Sequence, residues 1–122
     1  MSPLIRAQHK FLIDVSKLII WANTRDWVLT GGELFRTVEQ QRIHVKAGRS
    51  RTMNSQHGMR LAIDFNIFVD GQLCYDKKVL APMGAFWESM DPLNSWGGNG
   101  IKLVDTPHFS RGIDKPEFRR VT

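Results

Sequence analysis

A chain of 122 residues suits one domain with room for an enclosed core, and its 42% hydrophobic and 24% charged composition is that of an ordinary folded protein rather than a disordered one. Its single cysteine, Cys74, excludes an internal disulfide and a cysteine-based zinc cluster, so any metal must rest on His and carboxylate ligands. The balance of 17 Lys+Arg against 12 Asp+Glu gives a net charge of +5, which favours contact with a polyanion without choosing among nucleic acid, anionic lipid and an acidic envelope.

Near the amino terminus Phe11, Val15, Leu18, Ile19 and Ala22 recur at helical spacing, predicting an amphipathic helix over 3–23 with one core face. Asp14, Ser16 and Lys17 interrupt the apolar run there and no small-residue cleavage site follows, so no export signal is expected. No segment reaches the ~18 apolar residues of a membrane span, and membrane insertion is not expected. Trp27-Val28-Leu29 reads as a short strand, broken or bulged at Gly31-Gly32 and continued by Glu33 to Arg36. Thr37 with Gln40 has the form of a capping box, predicting a helix to about Ala47, where Gly48 stops it.

Residues 48–59 are polar and glycine-flanked, hence a loop. Arg60 to Val69 is apolar on both faces and reads as a central strand. Asp70-Gly71 then marks a hairpin turn, with Gln72 to Tyr75 as the return strand. Leu80, Met83, Trp87 and Met90 predict a helix over 78–90 in spite of Pro82, ended by Asp91-Pro92. A glycine loop, SWGGNG, follows, then a last strand around Ile101 to Val104, then Asp105-Thr106-Pro107-His108-Phe109. Residues 111–122 read as a loosely held, charged tail. The order of elements predicts a small α+β domain, a mostly antiparallel sheet packed with helices, with a core over about 3–110.

Asp64 is the anomaly. It lies at the centre of Leu61-Ala62-Ile63, Phe65 and Ile67-Phe68-Val69, where an unpartnered carboxylate would cost several kcal/mol. A structural salt bridge to Arg60 or Arg36 is the ordinary remedy; a metal is the other. Zinc binds imidazole and carboxylate at about 2.0–2.2 Å, so its donor atoms lie within ~3.5 Å of one another. Seven residues of extended chain span roughly 23 Å, so His57 and Asp64 can share an ion only if the chain doubles back, which Gly58 permits. The DTPH segment offers a further histidine, His108, with Asp105 three residues before it. Three protein ligands and one open position describe a catalytic rather than a structural zinc site, where the ion lowers the pKa of water to about 7. A nearby carboxylate can then take up the proton and pass it on.

Ser55-x-His57, Ala62-x-Asp64, Trp96-Gly97-Gly98 and Asp105-x-Pro107-His108-Phe109 together resemble the zinc peptidases of bacterial peptidoglycan. These are the VanY-type D-Ala-D-Ala carboxypeptidases and the L-alanyl-D-glutamate endopeptidases that serve as phage endolysins. Upstream, Gly32 to Thr37, Gln41 and Gly48-Arg49-Ser50 resemble that family's segment around its arginine, so the likeness runs from about Trp27 to Phe109. One position departs: Arg60 stands where the SxHxxGxAxD pattern usually has glycine, which puts the local backbone path in question.

The resemblance implies one Zn2+ per chain in a cleft at the sheet, held by His57, Asp64 and His108, with Asp105 as general base and Arg36 on the scissile carbonyl. Ser55 and Gln41 would contact substrate, although each also fits a turn or a helix cap. Trp96 beside two glycines is either a core aromatic or a wall of the cleft. The implied partner is a peptidoglycan stem peptide cut by a monomer, at L-Ala-D-Glu or, with the same catalytic set, at D-Ala-D-Ala. Such an endolysin would be made in the host cytoplasm and need a holin-type partner to reach the periplasm or wall. A non-catalytic wall- or polyanion-binding module is the alternative of another class. The basic cluster Lys46, Arg49, Arg51 and Arg60 suits anionic envelope polymers as well as nucleic acid, and no helix-turn-helix or zinc-finger spacing supports the latter.

Overall fold

Helix α1, Pro3–Thr24, starts where Ser2 accepts a hydrogen bond from the Ile5 N–H and Pro3 takes the first helical position. It ends with Asp26 at a φ of 59°, in the left-handed region, while the Trp27 N–H reaches back to the Ala22 carbonyl. That is a Schellman-type stop with aspartate in the place glycine usually takes. The computed structural model describes residues 1–32 and 59–113. The strand expected over 33–36, the helix over 37–47 and the loop over 48–58 lie outside the described residues.

The sheet is antiparallel, in the order β1-β2-β5-β4, with β3 on the far end of β2. Strand β1, Val28–Gly31, lies along one edge of β2, Ala62–Val69. The Asp70-Gly71 turn, both residues at positive φ, returns the chain as β3, Gln72–Leu73. Helix α2, Lys77–Ser89, is capped by the Asp76 carboxylate on the N–H groups of Lys78 and Val79, and contains Pro82. Then come β4, Asn94–Trp96, a single 3-10 turn over Gly97–Asn99, and β5, His108–Arg111. With β1 on one edge and β5 and β3 on the other, β2 is central, as its two apolar faces predict.

The last strand is not where the sequence pattern put it. Residues 101–104 are exposed and form no strand, and β5 begins at His108. The Gly97 carbonyl accepts from both Gly100 and Asp105 N–H, so 97–105 closes on itself as a loop with its Ile-Lys-Leu-Val tip outside. Ser95-Trp96, expected in the glycine loop, instead pair with Ser110 and Phe109. Residues 111–113, expected in the loose tail, are buried. Residues 114–122 lie outside the described residues.

Both helices cover one face of the sheet. Phe11, Leu18, Leu80, Met83 and Trp87 meet Leu61, Phe65, Ile67 and Phe109 in the core, each side chain contributing about 1.5–3 kcal/mol by its burial. Trp87 is central: Phe11 and Phe109 meet its ring edge-on, and its Nε1–H donates to the carbonyls of Ser95 and Ser110. A polar network ties α1 to the β4–β5 end. Fully buried Asp14 accepts from Lys10 and from Asn94 Nδ2, while Arg111 Nη1 lies 2.7 Å from Asp91 Oδ2. That last contact is an ion pair.

Candidate metal centre

The alternation of β2 sends Phe65 and Ile67 toward the helices and Asp64 to the other face of the sheet. On β5 the same alternation buries Phe109 and turns His108 to the face that Asp64 occupies. Antiparallel register sets Asp64 directly opposite His108, and directly opposed residues have Cβ atoms about 4.5–5.5 Å apart. His108 Nδ1 consequently lies 3.0 Å from Asp64 Oδ1. The two side chains are 21% and 28% exposed, sheltered yet open to a ligand from solvent.

Asp105 is brought in by a turn that is anchored at every residue. The Asp105 N–H donates to the Gly97 carbonyl, and the His108 N–H donates to the Asp105 carbonyl. The Thr106 hydroxyl donates to the Tyr75 carbonyl, and the Thr106 carbonyl accepts from Trp96 Nε1–H. The Pro107 carbonyl accepts from the Phe65 N–H, next to Asp64. The turn is thus fixed to β2, to β4 and to the chain after β3. As a result one ligand atom from each of Asp64, Asp105 and His108 lies within 4.8 Å of the other two.

Two glycines make this closeness possible. A Cβ on Gly32 would stand 2.5 Å from the Asp64 carbonyl oxygen, where the Gly32 N–H now bonds. A Cβ on Gly97 would stand 2.2 Å from the Asp105 carbonyl oxygen and 2.9 Å from the His108 Cβ. Gly32, in the pair expected to break or bulge a strand, and Gly97 both serve close backbone approach, whereas Gly98 makes room for the Trp96 ring and nothing lies within 4 Å of a Cβ at Gly31. Sequence reasoning left both roles unassigned; adjacent glycines flanking a strand were the available signal.

Two carboxylates and an imidazole at this spacing form a mixed oxygen and nitrogen donor set that fits a divalent cation. A dication there would offset the repulsion between the two carboxylates. Of the residues expected at the site, the fold brings together Asp64, Asp105 and His108. His57, Arg36, Gln41 and Ser55 lie outside the described residues. Trp96 is only 3% exposed, wedged against Gly84 and Gly98. It is therefore a core aromatic rather than a substrate-facing wall, and it bears on the site by holding the Thr106 carbonyl. The strand start that Arg60 put in question lies in the left-handed region, at a φ of 60°. Glycine adopts that conformation freely, whereas a side chain pays about 1–2 kcal/mol, so arginine keeps the path at a cost.

Residues 48–111 match the family described as D-alanyl-D-alanine carboxypeptidase. Among solved structures, the chain is similar to the Serratia marcescens L-Ala D-Glu endopeptidase ChiX, with 26% identity and a TM-score of 0.59. That similarity covers 68% of this chain and 65% of ChiX, so the chain spans just under two thirds of that protein. No curated protein matches the chain.

Proposed function

The chain belongs to the VanY-type D-alanyl-D-alanine carboxypeptidase family, and from that premise we propose that it is a zinc-dependent peptidoglycan peptidase hydrolysing an amide bond of the stem peptide. The observation that carries this reading is the convergence of Asp64, Asp105 and His108, all inside the matched segment, with their donor atoms within 4.8 Å.

His57, Asp64 and His108 would hold the ion. When bound, zinc supplies Lewis acidity that lets water lose a proton near neutral pH. The Asp105 carboxylate accepts the proton from the attacking water and returns it to the leaving amine, so one group serves as base and then as acid. Its anchored turn holds it beside His108 before substrate arrives, so little reorganisation is needed at the moment of proton transfer. Arg36 donates to the scissile carbonyl as negative charge builds on its oxygen. Ser55 and Gln41 hydrogen-bond the peptide.

For the scissile bond we favour L-Ala-D-Glu, supported by the similarity to an endopeptidase of that specificity. Cleavage of D-Ala-D-Ala is the second reading, supported by the description of the family. The cellular role would be that of a monomeric endolysin, dependent on a holin-type partner for access to the wall. Mass spectrometry of digested peptidoglycan separates the readings. New fragments with amino-terminal D-Glu support the first, and loss of one terminal D-Ala supports the second. Intact stem peptides from a zinc-loaded protein would instead identify a binding module.

A further inference from the structure

Helix α1 is apolar on two sides. Ala7, Phe11, Val15, Leu18 and Ala22 face the core, yet Ile5, Leu12, Ile13, Ile19 and Ile20 are between 40% and 63% exposed. Ile5, Leu12 and Ile19 recur every seven residues, and so do Ile13 and Ile20, so the five form a band of two stripes along about four turns of the outward side, with the exposed polar His9 and Ser16 between the stripes. Scattered surface aliphatics need no explanation, but five large ones on one helix face mark an interaction surface.

Charge selects the occupant. Arg6, Lys10 and Lys17, at i, i+4 and i+11, line one edge of this band. Arg6 and Lys17 are exposed and have no ion-pair partner among the described residues. The only acid on the helix, Asp14, is fully buried and held by Lys10 and Asn94. A second copy docked antiparallel on the same face would set this cationic edge against its own equivalent, and the helix offers no exposed acid to relieve that in any orientation. An anionic lipid surface satisfies both halves of the face, taking the aliphatic side chains at the acyl boundary and the cations among the headgroups.

We propose that α1 is a peripheral docking surface for anionic lipid bilayers, lying in the interface with Ile5, Leu12, Ile13, Ile19 and Ile20 against the lipid. No helix among the described residues is long and apolar enough to span, so the contact is adsorption. The inward side of α1 packs on the sheet face that carries Phe65 and Phe109, whereas Asp64 and His108 occupy the opposite face. Adsorption thus leaves the metal centre turned away from the bilayer. This inference does not depend on the proposed peptidase activity.

The test is flotation with phosphatidylglycerol–phosphatidylcholine vesicles against pure phosphatidylcholine vesicles. The protein should bind the anionic vesicles at least tenfold more tightly, with affinity falling as salt rises. Leu12→Glu with Ile20→Glu should reduce binding at least tenfold while leaving the thermal midpoint unchanged, because both side chains face solvent. The milder pair Leu12→Ser and Ile20→Ser carries the same expectation should the first fail to fold. Arg6→Gln with Lys17→Gln should remove the preference for anionic lipid. No binding to anionic vesicles, binding unmoved by the apolar substitutions, or a dimer that these substitutions dissociate would overturn the proposal.

Discussion

Gly97→Ala tests whether the geometry of the Asp105–His108 turn governs activity. The new methyl carbon would lie 2.2 Å from the Asp105 carbonyl oxygen and 2.9 Å from the His108 Cβ. Restoring ordinary contact requires the turn to move by roughly 1.3–1.8 Å, since non-bonded heavy atoms pack at ~3.5–4 Å. The obstacle is backbone, so no flexible side chain can swing aside. Overpacking of this kind costs about 1–3 kcal/mol of stability. The motion would also strain the Asp105 N–H bond to the Gly97 carbonyl and carry Asp105 away from His108 and Asp64. A misplacement of ~1 Å lowers turnover roughly 100-fold. The assay is release of stem-peptide fragments from purified peptidoglycan at saturating zinc and at a temperature where both proteins are folded, with the thermal midpoint measured alongside. Gly31→Ala is the control, because nothing lies within 4 Å of a Cβ there. A Gly97→Ala protein with turnover within threefold of wild type would refute the claim that this turn sets the site.

Three further outcomes are expected. Asp105→Ala should retain one zinc per chain by metal analysis yet lose all but ~1% of turnover, as removal of a general base does; an active variant would reassign the residue. Burial pushes the Asp91 carboxyl up, but the Leu93 N–H, the Arg111 guanidinium and the Lys10 ammonium outweigh it and hold its pKa below the ordinary 3.8. Its contribution is therefore fully present above that ordinary value and lost as pH falls through the lower folded value. Asp91→Asn should cost about 1–3 kcal/mol at neutral pH and little in strong acid, read from denaturant midpoints across pH, and a pH-independent difference would count against the pairing. Asp26→Gly should raise stability by about 0.5–1 kcal/mol, because Asp26 holds a left-handed φ at the end of α1; a lowered thermal midpoint would show that its side chain matters more than its backbone.

Local physics was legible in the sequence where it was unopposed. The spacing of Phe11, Val15, Leu18 and Ala22 gave α1 nearly to the residue, and Asp70-Gly71 gave the β2–β3 turn. Ile19 misled, because a helix aliphatic on two sides presents periodicity that does not say which side is buried. Ile101 to Val104 misled for a related reason: strand-like residues form a strand only if backbone partners are free, and the Gly97 carbonyl holds this loop closed instead. Asp64 stood out as a charge in an apolar run. Its partner His108, 44 positions away, was reached through the family resemblance rather than from spacing, because it is the register of β2 on β5 that joins them. Trp96 left two readings open in sequence, and packing against Gly84 and Gly98 chose the core.

The pairing of Ile63 with Phe109 and of Asp64 with His108 couples solvent exclusion to chemistry. A slip of β5 by one position would expel Phe109 from beneath Trp87 and drive His108 inward, abolishing the packing and the Asp64–His108 pairing in a single error. If a divalent ion occupies this site, its retention would report that β2 and β5 have met in register.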